Sequence, residues 1–118
     1  MAIRTILTQG DPALNKKCHP VTKFDGKLGD LLDDLKETLA QANGMGLAAP
    51  QVGILRRAVI VVPDPEKDEM IELINPEIVA EEGEQDGLEG CLSIPGMWGY
   101  VKRPNWVQVR AQDRRGNW

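Results

Sequence analysis

The chain has 118 residues, of which 42% are hydrophobic and 27% charged, and this composition indicates one globular domain rather than a disordered chain. A formal net charge of −4, with acidic and basic residues interspersed, argues against nucleic acid as the main partner. Two cysteines form no disulfide framework, so we expect a cytoplasmic protein. The longest apolar run, Ala58 to Val62, has only five residues, so we expect neither a secretory signal nor a membrane span.

Two helical segments are predicted in the first part of the chain. Residues 11–15 have Asp11 as a potential cap and Pro12 at the first helical position, which predicts a short helical turn. Between Asp25 and Asn43, leucines recur at helical spacing on one face and charged residues occupy the other, which predicts one long helix. The pair Asn43-Gly44 tolerates a left-handed backbone and is expected to end that helix.

The rest of the chain has the pattern of short β-strands. Apolar or alternating segments that predict strands occur at residues 58–62, 70–74, 78–79, 98–102 and 106–111. The first is continuously apolar and is expected to be buried on both faces, whereas the second is expected to end at Asn75-Pro76. The third fades into an acidic stretch at 81–86, and residues 113–117 resemble a hairpin turn. One helix followed by strands predicts a single α+β domain of antiparallel sheets over residues 1–118.

A segment rich in glycine and alanine, Gly44 to Gln51, follows the long helix. Without bulky side chains, its main-chain N–H and C=O groups could pair with an extended peptide, as an added strand would. The amide of Gln51 could also donate a hydrogen bond to a developing oxyanion. Taken alone, however, this segment is more simply explained as a helix C-cap followed by a loop of small residues.

A second unusual segment, Glu89 to Gly96, contains Cys91 directly after a glycine. The acidic residues before Cys91 disfavour a free thiolate, whereas a metal ion would hold the sulfur deprotonated. A buried structural cysteine in a tight turn is the simpler explanation when this segment is considered by itself.

Taken together, the two segments resemble the first and second of the three signature motifs of the peptide deformylase family, carried by residues 44–51 and 89–93. The resemblance extends over nearly the whole chain, including the long helix, the stretch 73–76 and the turn at Asp113-Arg114. It implies an enzyme that removes the formyl group from the N-terminal formylmethionine of ribosome-associated nascent chains. The family uses a divalent metal, usually Fe(2+), for which Zn or Ni can substitute.

The resemblance also implies a role for each matching residue. Cys91 would be a metal ligand, while Gln51 and the backbone N–H of Leu92 would stabilise the oxyanion. The residues implied in binding the N-formylmethionyl peptide are Gly44, Met45, Gly46 and Gly90. Glu89 and Arg103 would form a pair that braces the cysteine loop, and Trp98 stands where relatives often carry arginine or another large side chain.

The family's third motif, His-Glu-x-x-His on a helix, does not occur in this sequence, which contains one histidine, His19. We expect His19 to be solvated rather than a ligand. The resemblance therefore implies a C-terminally incomplete fold that lacks the central metal-binding helix, and a chain that alone holds no metal tightly and is inactive. We expect the inner strand faces to be partly exposed, unless an oligomer covers them.

Two other functions remain open from the sequence. The chain could be a non-catalytic peptide-binding module or an inactive remnant, because the glycine-rich edge could bind a peptide without chemistry. It could also be a cysteine hydrolase that uses Cys91, His19 and Gln51, although the acidic surroundings of the cysteine argue against this.

Overall fold

The computed structural model describes residues 2–67 and 69–118 and contains one long helix packed against an antiparallel sheet. A four-stranded sheet has the order β1-β2-β3-β6, and a separate hairpin pairs β4 with β5. The predicted α+β class with antiparallel sheets is therefore confirmed. In chain order the elements are a 3₁₀ helix at Pro12–Asn15, α1 at Gly26–Ala42, β1 at Gly46–Ala48, a second 3₁₀ helix at Ala49–Val52, β2 at Ala58–Val61, β3 at Ile71–Glu82, β4 at Gln85–Cys91, β5 at Ile94–Arg103 and β6 at Trp106–Gln112.

Helix α1 begins and ends as its sequence predicts. The carboxylate of Asp25 accepts a hydrogen bond from the Leu28 N–H at 3.2 Å, which satisfies one of the donors that a helix start leaves unpaired. At the other end Asn43 takes a left-handed conformation with φ 57°, and its N–H donates to the Ala40 carbonyl.

The core lies between α1 and the half of the sheet formed by β1, β2 and the start of β3. The leucine stripe of α1 faces this core, and Leu32, Leu35 and Leu39 are fully buried. Ile60 of β2 and Ile74 of β3 are also fully buried and complete the opposite wall. Burial of each such side chain contributes about 1.5–3 kcal/mol to folding, so the helix and these three strands form the stable part of the molecule.

The expectation that the strand at 58–62 is buried on both faces is wrong in part. Ala58 and Ile60 are buried, whereas Val59 and Val61 are only half-buried, so burial alternates along β2. Strand β2 lies between β1 and β3 in an antiparallel sheet, and α1 covers one face of it. An apolar run therefore does not require two covered faces.

The expectation that a strand ends at Asn75-Pro76 is also wrong, because β3 continues through both residues to Glu82. Asn75 adopts a positive φ of 51°, and the pairing of β3 with β6 shifts register between Ile74 and Glu77. This irregularity accommodates the proline within a long strand. The side chain of Asn75 also accepts from the Val21 N–H at 2.8 Å and donates to the Val21 carbonyl at 2.9 Å, which fixes the N-terminal segment to the sheet.

The hairpin of β4 and β5 is more extensive than the sequence predicts. Strand β4 begins at Gln85, within the acidic stretch at 81–86 for which the sequence predicts no strand, and β5 begins at Ile94 rather than at Trp98. Cross-strand pairing stabilises β4 despite its two glycines, Gly87 and Gly90, which have low strand propensity. The cysteine segment is therefore the end of a strand and the turn that follows it.

A turn at 113–117, as predicted, is confirmed, since Asp113 and Asn117 are joined by a backbone hydrogen bond of 2.9 Å. From this turn Arg114 extends to Glu72 of β3 and, at 2.9 Å, to Asp33 of α1. Lys36 of α1 lies 2.8 Å from the same Glu72 carboxylate. Hydrogen bonds from Arg114, together with Lys36, hold the pKa of Glu72 below its ordinary value.

Large apolar side chains are exposed on the strands that α1 does not cover, as the sequence leads us to expect. We use the name apolar band for these exposed residues of β3, β4, β5 and β6, which are Ile78, Val79, Leu88, Met97, Trp98, Tyr100, Trp106, Val107 and Val109. No helix in the described part of the chain is long and apolar enough to cross a membrane.

Candidate functional site

The two segments singled out in the sequence meet in the structure. Gln51 lies in the second 3₁₀ helix, and Cys91 ends β4, immediately before the turn that contains Leu92 and Ser93. The Gln51 Nε2 atom is 3.0 Å from Ser93 Oγ and 3.9 Å from Cys91 Sγ. The structure therefore places an amide donor and a thiol side by side, and Leu92 follows the thiol in the chain.

The orientation of the Gln51 amide is determined by its partners. Its Oε1 atom accepts a hydrogen bond from the Ala48 N–H at 3.0 Å, so its Nε2 group must point the other way. On that side the hydroxyl of Ser93, which is only 4% exposed, accepts from Nε2. Ser93 is a positioning residue that our sequence analysis did not assign, although it lies inside the quoted second motif.

The N-terminal segment connects the two motif segments, which our sequence analysis also did not anticipate. The Leu7 N–H donates to the Gln51 carbonyl and the Gln9 N–H donates to the Ser93 carbonyl, both at 2.7 Å. These are main-chain contacts, so side-chain identity at residues 7 and 9 carries no signal for them. The site therefore depends on three separate stretches of the chain.

Strand β1 provides an accessible edge beside this amide and thiol. It pairs with β2 on one side only, because it is the outermost strand of its sheet. Gly46 is exposed and the side chain of Met45 is 56% exposed, so an extended peptide can approach this edge. A Cβ atom on Gly44 would lie 2.7 Å from Leu92 Cδ1, which shows how closely the two segments pack.

The side chains of Glu89 in β4 and Arg103 in β5 form a diagonal pair across the hairpin. The guanidinium of Arg103 donates two hydrogen bonds to the carboxylate of Glu89, at 2.6 and 2.7 Å. These hydrogen bonds hold the pKa of Glu89 below its ordinary value. Gly90 lies beneath the ring of Trp98, since a Cβ atom there would be 2.9 Å from Trp98 Cζ3. The indole is 70% exposed, so it forms part of the surface near the cysteine.

The residues around Cys91 do not fit a catalytic metal site. Such a site takes three protein ligands, whereas residues 2–67 and 69–118 contain no cluster of three or more His, Cys, Asp or Glu side chains suited to hold a metal. His19 is exposed, and its backbone pairs with the segment around Arg56 rather than with the cysteine turn. Among the side chains described, the hydrogen-bond partner of Cys91 is Gln51, so a Cys91–His19 pair is not formed.

Comparisons with known proteins agree on one family. The sequence profile of that family, described as "Polypeptide deformylase", matches residues 3–118. The chain is 54% identical over 117 residues to the peptide deformylase of Caldicellulosiruptor bescii, covering 99% of this chain and 69% of that relative. It is 56% identical to that of Caldanaerobacter subterraneus, covering 99% of this chain and 72% of that relative. The crystal structure of a peptide deformylase from Legionella pneumophila superposes with a TM-score of 0.93 at 43% identity, covering 98% of this chain and 68% of that one.

Proposed function

Because this chain belongs to the polypeptide deformylase family, we propose that it forms the peptide-binding and oxyanion-stabilising part of a hydrolase that removes the formyl group from N-formylmethionine. The observation that supports this most directly is the distance of 3.9 Å between Gln51 Nε2 and Cys91 Sγ. It places a fixed hydrogen-bond donor beside the only strongly metal-binding side chain of the second motif. The substrates in the cell would be ribosome-associated nascent chains in the cytoplasm.

The peptide binds along the outer edge of β1. Main-chain groups of Gly46 pair with the extended substrate, and the absence of a side chain allows close approach. Gly44 and Met45 contact the methionine side chain, and Gly90, on which the Trp98 ring packs, contacts the peptide through its main chain. This assignment is supported by the edge position of β1 and by the exposure of Met45.

The oxyanion is stabilised by two donors, the Gln51 amide and the Leu92 backbone N–H. An amide that is already held by the Ala48 N–H and the Ser93 hydroxyl requires no reorientation when charge develops on the substrate oxygen. Removal of one such donor typically lowers kcat by about 10²–10³-fold. The Glu89–Arg103 pair holds the hairpin that carries Cys91 and Leu92.

The metal of the family, Fe(2+) with Zn or Ni as substitutes, is not held tightly by this chain alone. Cys91 supplies one ligand, and a complete structural zinc site contributes about 10–16 kcal/mol, most of which one thiolate cannot retain. Loss of a positioned general base typically costs a further factor of about 10²–10⁴ in rate. We therefore propose that the 118-residue chain does not deformylate peptides by itself.

A deformylation assay with metal analysis tests this proposal. The purified chain is loaded with Fe(2+), Ni or Zn, its metal content is measured, and formate release from formyl-Met-Ala-Ser is followed beside the enzyme from Caldicellulosiruptor bescii. We expect less than stoichiometric metal and no turnover above a control of metal alone. Stoichiometric metal together with turnover would contradict the proposed inactivity.

A second candidate, a non-catalytic peptide-binding module, is favoured by the same accessible β1 edge. Titration of formyl-Met-Ala-Ser into the chain, followed by NMR, distinguishes it from an inactive remnant. Saturable shifts in residues 44–51 without turnover indicate a binding module, and no shifts indicate a remnant. Met45→Asp should weaken binding, whereas Ile78→Asp, at a comparably exposed apolar residue of β3, serves as the matched control.

A further inference from the structure

Basic side chains gather around a cavity that shares no residue with the candidate site. The cavity has a volume of about 620 Å³ and lies between the N-terminal segment, the start of α1 and residues 54–56. Four of the chain's 14 lysines and arginines line it, namely Arg4, Lys23, Lys27 and Arg56. His19 also lines it, and Asp25 is the one acidic residue on its wall. This concentration is unexpected in a chain of net charge −4.

Most of these cationic groups form no ion pair with the residues that the structure describes. Arg4 pairs with Asp34 at 2.8 Å, so its charge is largely neutralised. Within residues 2–67 and 69–118, Lys23, Lys27 and Arg56 form no ion pair within 4 Å. The carboxylate of Asp25 is already used to cap α1. Three cations without an ion-pair partner therefore stand against one carboxylate, and a concave wall with an excess of positive charge raises the local concentration of anions.

The walls of the cavity are fixed by main-chain contacts. The His19 N–H donates to the Leu55 carbonyl and the Arg57 N–H donates to the His19 carbonyl, both at 3.0 Å, which holds His19 beside Arg56. The apolar floor is formed by Val21, Leu28 and Leu31, which are 6–7% exposed and belong to the core. The cationic side chains thus surround a cavity whose apolar floor belongs to the packed core.

We propose that this basic cavity binds a small, multiply charged phosphate compound, either a free polyphosphate or a phosphate ester with an apolar part. Phosphate groups are the densest negative charges that arginine and lysine recognise, and three unpaired cations match two or three adjacent phosphates. The apolar floor can contact the organic part of an ester. The volume lies within the range of about 300–1,000 Å³ that small-molecule sites occupy.

Isothermal titration calorimetry on the 118-residue chain, with tripolyphosphate and ATP as probes, tests the proposal. The triple variant Lys23→Gln, Lys27→Gln, Arg56→Gln lowers the net charge from −4 to −7. The matched control, Lys67→Gln, Lys102→Gln, Arg115→Gln, makes the same change at exposed residues outside the cavity. We expect the cavity variant to weaken binding by about 10-fold or more and the control by less than about 3-fold.

Circular dichroism of both variants verifies that they fold, and NMR shifts locate the bound probe on the unmodified chain. Tighter binding of ATP than of tripolyphosphate identifies a phosphate ester, while equal binding identifies a polyphosphate. Binding that does not saturate below about 10 mM, or that weakens equally in both triple variants, overturns the proposal, because it reflects net charge alone.

Discussion

At the scale of single residues, the arrangement around Gln51 depends on two neighbours, Ala48 at the end of β1 and the buried Ser93. The Ala48 N–H and the Ser93 hydroxyl bind opposite ends of the same amide. Either hydrogen bond alone would leave the Gln51 amide free to rotate. Together they direct Nε2 towards the space beside Cys91 Sγ.

Replacing Ser93 by alanine should loosen the Gln51 amide while leaving the fold intact. The change removes one hydrogen bond in a buried position, which lowers the free energy of unfolding by about 0.5–1.5 kcal/mol. We expect the NMR resonances of the Gln51 side-chain amide to broaden or to shift towards those of a solvated glutamine. Ser93→Thr keeps the hydroxyl and should preserve the original resonances. Unchanged Gln51 resonances in Ser93→Ala would mean that Ser93 does not position the amide.

One added methyl group at Gly44 should destabilise the fold. A Cβ atom there would lie 2.7 Å from Leu92 Cδ1 and 2.9 Å from Cδ1 of Leu39, which is fully buried and cannot move freely. We expect Gly44→Ala to lower the free energy of unfolding by about 1–3 kcal/mol, measured by urea denaturation, because overpacking displaces Leu92. Gly99→Ala is the control, since nothing lies within 4 Å of its Cβ position. Equal stabilities of the two variants would contradict the close packing of the motifs.

At the scale of elements, the Arg114 turn, α1 and β3 are connected through Glu72. The carboxylate is 13% exposed and pairs with both Arg114 and Lys36, and the hydrogen bonds from Arg114 contribute most to its lowered pKa. An unfolded chain protonates Glu72 near its ordinary value of 4.5, whereas the folded chain keeps it ionised to a lower pH. The stabilisation is therefore fully present above the ordinary value and is lost as pH falls through the folded pKa.

Glu72→Gln should accordingly remove part of the acid sensitivity of the chain. At pH 7 we expect the substitution to lower the free energy of unfolding by about 1–3 kcal/mol, because the charged side chains of Arg114 and Lys36 lose the negative charge that they pair with. Well below the ordinary pKa of 4.5 the variant and the unmodified chain should converge. Urea denaturation across this pH range measures the difference. Glu81→Gln, at an exposed position of the same strand, should show a much smaller effect at pH 7.

The sequence predicted the elements whose formation depends on interactions between residues that are close together in the chain. The cap at Asp25, the leucine stripe of α1 and the left-handed Asn43 all act within a few residues, so their outcome could be derived in advance. The continuation of β3 through Pro76 could not be derived in advance, because it depends on the contact between Asn75 and Val21, which are 54 positions apart. Strand β4 likewise exists through its pairing with β5.

The same distinction applies to the candidate site. Gln51 and Cys91 could be identified from residue types and from a family resemblance, since each lies in a compact motif. The links from Leu7 and Gln9 could not, because they use main-chain groups that every residue except proline possesses. The positioning role of Ser93 can be recognised only when the orientation of the Gln51 amide is known.

At the scale of the whole molecule, the accessible surface is larger than the mass explains. A folded monomer of 13.0 kDa is expected to expose about 6,300 Å², whereas this chain exposes 8066 Å². The excess of about 1,700 Å² exceeds the roughly 800 Å² that each partner buries in a standard interface. Nine of the 13 exposed large hydrophobic residues in the described part of the chain belong to the apolar band, and each of the nine is at least 40% exposed.

We therefore expect the isolated 118-residue chain to associate with further copies of itself through the apolar band. Ile78 and Val109 are directly paired across β3 and β6, so their side chains lie on one face and form a single apolar contact. Sedimentation velocity should show a mass that rises with concentration, and Ile78→Glu with Val109→Glu should shift the chain towards monomer. Thr8→Glu with Gln41→Glu changes the net charge equally at exposed polar positions and should leave association unchanged. An interface of standard size is expected to form well below about 100 μM, so an unmodified chain that is monomeric at that concentration would show that the apolar band does not drive association. Equal effects of the two double variants would show the same.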